Sequence, residues 1–148
     1  MVDLRLIILD YYYNPLTKGS NSIKAILPAI LNTCDFLKNK YSKPISEINL
    51  TSINFDEKHL WIQIKDQKVI NPYKLLPPIF NQFGKEELEH FISGLDTVSD
   101  GGAALKAYSK LQFVDMSIKE RDSIKKSLFK YCELDTLAMV MIYEAWKH

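Results

Sequence analysis

A mainly α fold, with at most a small β-hairpin around residues 60–70, is what this sequence predicts, and three observations carry it. A capping box, Ser117-Ile118-Lys119-Glu120, opens a long run in which apolar residues recur at helical spacing. An earlier run from Ile23 toward Leu31 follows Asn21 and Ser22, either of which can cap a helix. The only alternating stretch is Leu60, Ile62 and Ile64 interleaved with Trp61 and Gln63.

In chain order, Val2–Tyr13 is dense enough in apolar and aromatic residues for a buried helix, with a strand as the weaker alternative. Asn14-Pro15 ends it, because a residue before proline is pushed out of the α region. Residues 16–20 form a loop, and the helix beginning at Ile23 carries Pro28, a site for a bend. Thr33 or Asp35 can start a short further helix through Lys40. Between Ser42 and Pro78, four prolines and several Ser, Thr and Asn residues predict a long irregular excursion. Within it, Lys65-Asp66-Gln67-Lys68 can turn the chain into Val69-Ile70, giving a hairpin that must lean on helices to persist. Lys85–Ser93 reads as a short amphipathic helix ended near Gly94, and Asp100-Gly101-Gly102 starts a helix carrying Ala103, Ala104, Ala107, Tyr108 and Leu111.

With 148 residues, 47% of them hydrophobic, the chain is expected to form one domain over residues 1–148. Nineteen basic and 18 acidic residues leave a net charge of +1, which excludes a global field toward nucleic acid or membrane. The N-terminal apolar run is too short and interrupted for a membrane span and lacks a cleavage site, so the expected location is cytoplasmic. Cys34 and Cys132 have no ligand at metal-binding spacing, and a disulfide between them is disfavoured in a reducing compartment.

On the last apolar stripe the steps run through Ile124, Leu128, Tyr131, Cys132, Ala138, Met139, Ile142 and Trp146, and a carboxylate, Asp135, stands where a hydrophobe is due. A buried carboxylate needs a hydrogen-bond partner, a capping role or a metal. Three readings stay open: Asp135 is a ligand, it N-caps a second helix after a break near Leu134, or it lines a solvated edge.

Tyr131-Cys132-Glu133-Leu134-Asp135 also fits the tyrosine-x-x-x-aspartate signature of the DEDD (DEDDy) exonucleases. These form the DnaQ-like superfamily, which includes the proofreading domain of bacterial DNA polymerase I. Val2-Asp3-Leu4 before a hydrophobic helix is similar to the segment after that family's second acidic motif, and Ser20–Pro28 resembles its inter-motif helix. The strings Tyr12-Tyr13-Asn14-Pro15, Gly19–Lys24, Pro72-Tyr73-Lys74-Leu75-Leu76-Pro77, Asp100–Ala104 and Tyr131–Thr136 resemble an uncharacterised bacterial family, a domain of unknown function. In that family, the part resembling this chain is usually the C-terminal end of a longer protein.

The resemblance implies the helical C-terminal portion of a ribonuclease H-like α/β module, a 3′–5′ exonuclease. Asp135 would be a metal ligand, Tyr131 would orient the attacking water, and Mg2+ or Mn2+ would be the cofactor. The family's aspartate-x-glutamate strand and its second acidic motif are missing; Asn54-Phe55-Asp56 imitates the latter in the wrong order and reads as loop, and Asp3 reads as a helix start. Two-metal hydrolysis needs several carboxylates on ions about 3.5–4 Å apart, and one aspartate cannot hold them. The isolated chain is therefore expected to bind metal weakly or not at all and to be inactive, its partners being a missing N-terminal nuclease region and, through the complete module, nucleic acid. Whether the chain belongs to an enzyme stays open against a second reading, a non-catalytic helical interaction module that forms a homo-oligomer to bury its apolar face.

Lys119, Arg121, Lys125, Lys126 and Lys130 make a basic helix face, either a phosphate contact, with Lys125, Lys126 and Lys130 foremost, or a solvated surface. Tyr11, Tyr12 and Tyr13 either stack on bases or belong to a core or interface.

Overall fold

The computed structural model describes residues 3–76 and 101–148, with backbone alone for residues 101–103. It is mainly helical, with one small antiparallel sheet among the described residues. The chain divides into two compact units, residues 1–75 with 133–148, and residues 76–132. The anticipated helix over Lys85–Ser93 lies outside the described residues.

In the first unit, helix α1 (Leu4–Tyr11) starts where the Asp3 carboxylate accepts from the Arg5 N–H at 2.9 Å, the helix-starting role expected of it. The expected buried helix over Val2–Tyr13 is corrected on burial: α1 buries only Ile8, and Leu6 is 57% exposed. Four consecutive apolar residues, Leu6–Leu9, cannot all face one side of a 3.6-residue helix, so density of apolar residues overstated its burial. Asn14 then caps a 3-10 turn at Pro15–Thr17, and Lys18 and Gly19 reverse the chain with φ of 52° and 78°.

Helix α2 (Ile23–Thr33) is capped by Ser22 and buries Ile26, Leu27, Ala29, Ile30 and Leu31, which makes it the centre of this unit. Pro28 stands inside it, and its carbonyl accepts from the Asn32 side chain at 2.8 Å. After Cys34 the chain enters α3 (Asp35–Tyr41), where Asp35 in the first turn and Lys38 and Lys40 in the last complement the helix dipole.

Residues 42–76 are largely irregular, as the prolines predicted. The backbone is tied by single bonds, among them the Ile45 N–H to the His59 carbonyl at 3.1 Å and the Ile62 N–H to the Tyr41 carbonyl at 3.2 Å. Strands β1 (Ile64–Lys65) and β2 (Lys68–Val69) form the hairpin around Asp66-Gln67. Both turn residues have positive φ, 50° and 62°, as a type I′ turn requires. The ribbon leans on α2, the Val69 N–H donating to Asn32 Oδ1 at 3.0 Å. The predicted alternation from Leu60 fails, because Trp61 and Ile62 are both buried and Leu60 instead bridges to Pro44.

The second unit holds α4 (Gly101–Phe113), with Ala107 and Leu111 packed on Ile124 of α5 (Ile118–Ala145) beside Met116 and Leu128. Helix α5 opens with the predicted capping box: Ser117 Oγ accepts from the Glu120 N–H at 3.3 Å, and the Glu120 carboxylate accepts from the Ser117 N–H at 2.9 Å. The Ser117 hydroxyl, which donates to that carboxylate at 2.7 Å, and after it the Ser117 N–H hold the Glu120 carboxyl below the usual carboxylate range. The helix runs unbroken through Leu134 into the first unit, which overturns the reading of Asp135 as the cap of a new segment. Its buried positions there are Leu134, Ala138, Met141 and Ile142; Cys132 and Met139 are exposed, so the stripe turns through Leu134 and leaves Asp135 on its flank.

Ser117→Ala is expected to destabilise the protein by about 1 kcal/mol at neutral pH. Because the folded carboxyl of Glu120 lies below its ordinary value of 4.5, the carboxylate's part of the box stabilises above that value and is lost as pH falls through the folded one. In denaturant unfolding, the difference between wild type and variant should therefore narrow in acid to what the Ser117 Oγ bond from the Glu120 N–H contributes; a constant difference down to about pH 2 would show that the Glu120 carboxylate adds nothing.

Candidate functional site

Asp135 stands half-buried on α5, where the Tyr73 hydroxyl donates to its Oδ1 at 2.6 Å. The phenol is held by its own backbone. Asn71 Oδ1 accepts from the Tyr73 N–H at 3.1 Å, Pro72 opens the 3-10 turn Pro72–Lys74, and both Pro72 and Tyr73 are buried. From α2, Lys24 Nζ lies 5.4 Å from the centroid of the Tyr73 ring. A carboxylate with one oxygen held by a buried phenol can bind a cation or accept a donor at the other, and Oδ2 has no partner among the described residues.

The remaining predicted residues, Tyr131, Lys125, Lys126 and Lys130, fall in the second unit. Tyr131 is four residues earlier on the same helix, is 8% exposed, and belongs to the second unit. Lys125 and Lys126 are exposed in that unit, and Lys130 is half-buried. Asn54-Phe55-Asp56 is a loop, as expected, but its asparagine has a definite task. Its backbone N–H and side-chain amide donate to Glu133 Oε2 at 3.2 and 2.6 Å. Asp56 Oδ1 accepts from the Lys58 N–H at 3.0 Å within the same turn, while Phe55 stacks on His59 with centroids 4.2 Å apart.

Sequence reasoning missed two participants. Tyr73 stood inside the Pro72–Pro77 string, and the asparagine-proline pair before it is a turn signal that could have singled it out. Glu144 is the other: its carboxylate accepts from Lys40 Nζ at 2.6 Å and from the Tyr41 hydroxyl at 2.9 Å. Burial, then the hydrogen bond and negative charge of Glu144, raise the Tyr41 phenol far above its ordinary value. A cavity of about 430 Å³ opens nearby between Tyr12, Cys34, Phe36, Trp146 and His148, with Phe36 and His148 stacked 3.8 Å apart. Burial also raises the Tyr12 phenol, which accepts from the Asn14 amide.

The two divalent ions implied by the resemblance would need several convergent carboxylates. Among the described residues no group of three or more His, Cys, Asp or Glu side chains is placed to hold a metal ion. Glu133 and Glu144 are committed to Asn54 and to Tyr41 with Lys40, so Asp135 stands as a single carboxylate. These residues do not fit a two-metal centre. No helix among the described residues is long and apolar enough to cross a membrane. Compared with protein families, curated proteins and solved structures, the chain has no significant match.

Tyr41→Phe is expected to destabilise the protein by about 2 kcal/mol at neutral pH, since it removes a donor to a charged acceptor. A phenol whose folded pKa is raised contributes fully below the unfolded value near 10 and loses that contribution as pH rises toward the folded one. Between about pH 9 and 11, the stability of wild type should fall more steeply than that of Tyr41→Phe. Parallel curves would show that the Glu144 bond carries no weight.

Proposed function

We propose that this chain is the C-terminal, helical part of a metal-dependent 3′–5′ exonuclease-like protein of ribonuclease H-like fold, and that by itself it does not cleave nucleic acid. The observation that carries this reading is the Asp135 carboxylate, anchored at Oδ1 by Tyr73 and open at Oδ2. Metal-binding carboxylates are commonly fixed in this manner by a neighbouring donor, which sets their orientation. In the tyrosine-x-x-x-aspartate pattern Asp135 would be one ligand and Tyr131 the partner residue. The other acidic ligands would come from sequence that this chain does not contain. Lys125 and Lys126 are exposed and without an ion pair among the described residues, so they are the side chains best placed to meet phosphates, with Lys130 less accessible. A complete module would be a phosphodiester hydrolase using Mg2+ or Mn2+, with nucleic acid as substrate.

A second reading, a non-catalytic module for helical interaction or oligomerisation, is favoured by a separate observation. Leu6, Leu9, Tyr13 and Leu16 are all at least 45% exposed within the first unit. Such a concentration of apolar side chains marks an interaction surface more often than a solvated one.

The chain alone, titrated calorimetrically with manganese, should give no saturable binding at micromolar concentration and no turnover of a single-stranded oligonucleotide. A longer protein in which this chain follows an aspartate-x-glutamate strand should turn over, and Asp135→Ala should lower that rate by at least ~100-fold. Unchanged turnover in the variant would remove the nuclease assignment and leave the interaction reading.

A further inference from the structure

Helix α1 carries two charges that its own electrostatics do not explain. It has no acidic residue in its first turn and no basic residue in its last; instead Arg5 stands near the N-terminus and Asp10 near the C-terminus, both exposed. Each is at the end that the helix dipole disfavours for its sign. They are five residues apart, not three or four, so they do not pair along the helix. Among the described residues neither side chain has a hydrogen bond or ion pair.

Between them lies an exposed apolar pair, Leu6 at 57% and Leu9 at 45%. At 3.6 residues per turn these leucines project about 60° apart, with Arg5 about 40° beyond Leu9 and Asp10 about 40° beyond Leu6. The face therefore has a leucine diagonal with a positive charge at one corner and a negative charge at the opposite corner. The two charges thus flank the leucines on opposite sides, with Asp10 five positions after Arg5. Such a face is complementary to itself when two copies meet in parallel about an axis along the helices, because the Arg5 flank of each then meets the Asp10 flank of the other, whereas an antiparallel pair would set Arg5 beside Arg5.

We propose that α1 is a homodimerisation surface, its occupant a second copy of this chain. In the parallel pair Leu6 packs on Leu6 and Leu9 on Leu9 of the second copy, and Arg5 pairs with Asp10 of the second copy twice over. An eight-residue helix offers a small interface, so association is weak, concentration-dependent and weakened by salt. The inference does not depend on Asp135 or on any nuclease activity.

Sedimentation of the full chain up to about 0.5 mM should show a dimer fraction that rises with concentration. Arg5→Glu and Asp10→Lys each place like charges across the axis and should weaken self-association about tenfold. An equimolar mixture of the two variants should associate as strongly as wild type, because a mixed pair regains one Arg5–Asp10 contact and forms one Glu–Lys contact. Both substitutions suit the helix dipole, so loss of the helix would not explain a monomer, and circular dichroism checks this directly. A wild-type chain that stays monomeric throughout, single variants that associate like wild type, or a mixture that fails to recover would each overturn the proposal.

Discussion

Much of the first unit depends on one constraint: an irregular segment of some thirty residues must satisfy its polar groups without a sheet to do it. Part of the solution comes from the last helix. Glu133 takes the Asn54 amide and backbone N–H, Asp135 takes the Tyr73 hydroxyl, and Glu144 takes the Tyr41 hydroxyl with the Lys40 ammonium. Each bond joins residues 62 to 104 positions apart in sequence. Around them Leu134, Ala138, Met141 and Ile142 contribute the apolar burial, so the second half of α5 serves as both core wall and hydrogen-bond acceptor. Charge-assisted bonds of this kind are worth more than neutral ones, and an acceptor stripped of its donor while half-buried loses most.

That division of labour shapes what Asp135 can do. Glu133, two positions earlier, projects from a different side of the helix and is turned to Asn54, so it does not join Asp135 in an acidic cluster. The Tyr73 bond fixes the Asp135 carboxylate and leaves its second oxygen available, an arrangement suited to a residue that completes a site built largely elsewhere. The nuclease and interaction readings thus rest on different elements of one unit, Asp135 with Tyr73 for the first and the outer face of α1 for the second.

Local signals were legible in the sequence. Ser22 and Ser117 announced two helix starts, Asp3 a third, and the Asp66-Gln67 turn was placed correctly, because capping and turn chemistry act over four residues or fewer. The facing of each element was less legible. Cys132 and Met139 fit the apolar period of α5 as well as Leu134 and Met141 do, and only the arrangement of the neighbouring elements selects between the two faces. The density of α1 likewise gave no sign that Leu6 and Leu9 would remain exposed. For the site, periodicity and motif singled out Asp135 but not its partner. Tyr73 is 62 residues away, and nothing local to either residue encodes the contact.

The bond between Tyr73 and Asp135 is therefore where the account is most exposed to test. A double-mutant cycle with Tyr73→Phe and Asp135→Asn, followed by denaturant unfolding, measures their coupling separately from what each residue does with others. A coupling of about 1–3 kcal/mol is the predicted result. A value within about 0.3 kcal/mol of zero would mean that Asp135 is not anchored by Tyr73 and that the last helix holds the irregular segment by other means.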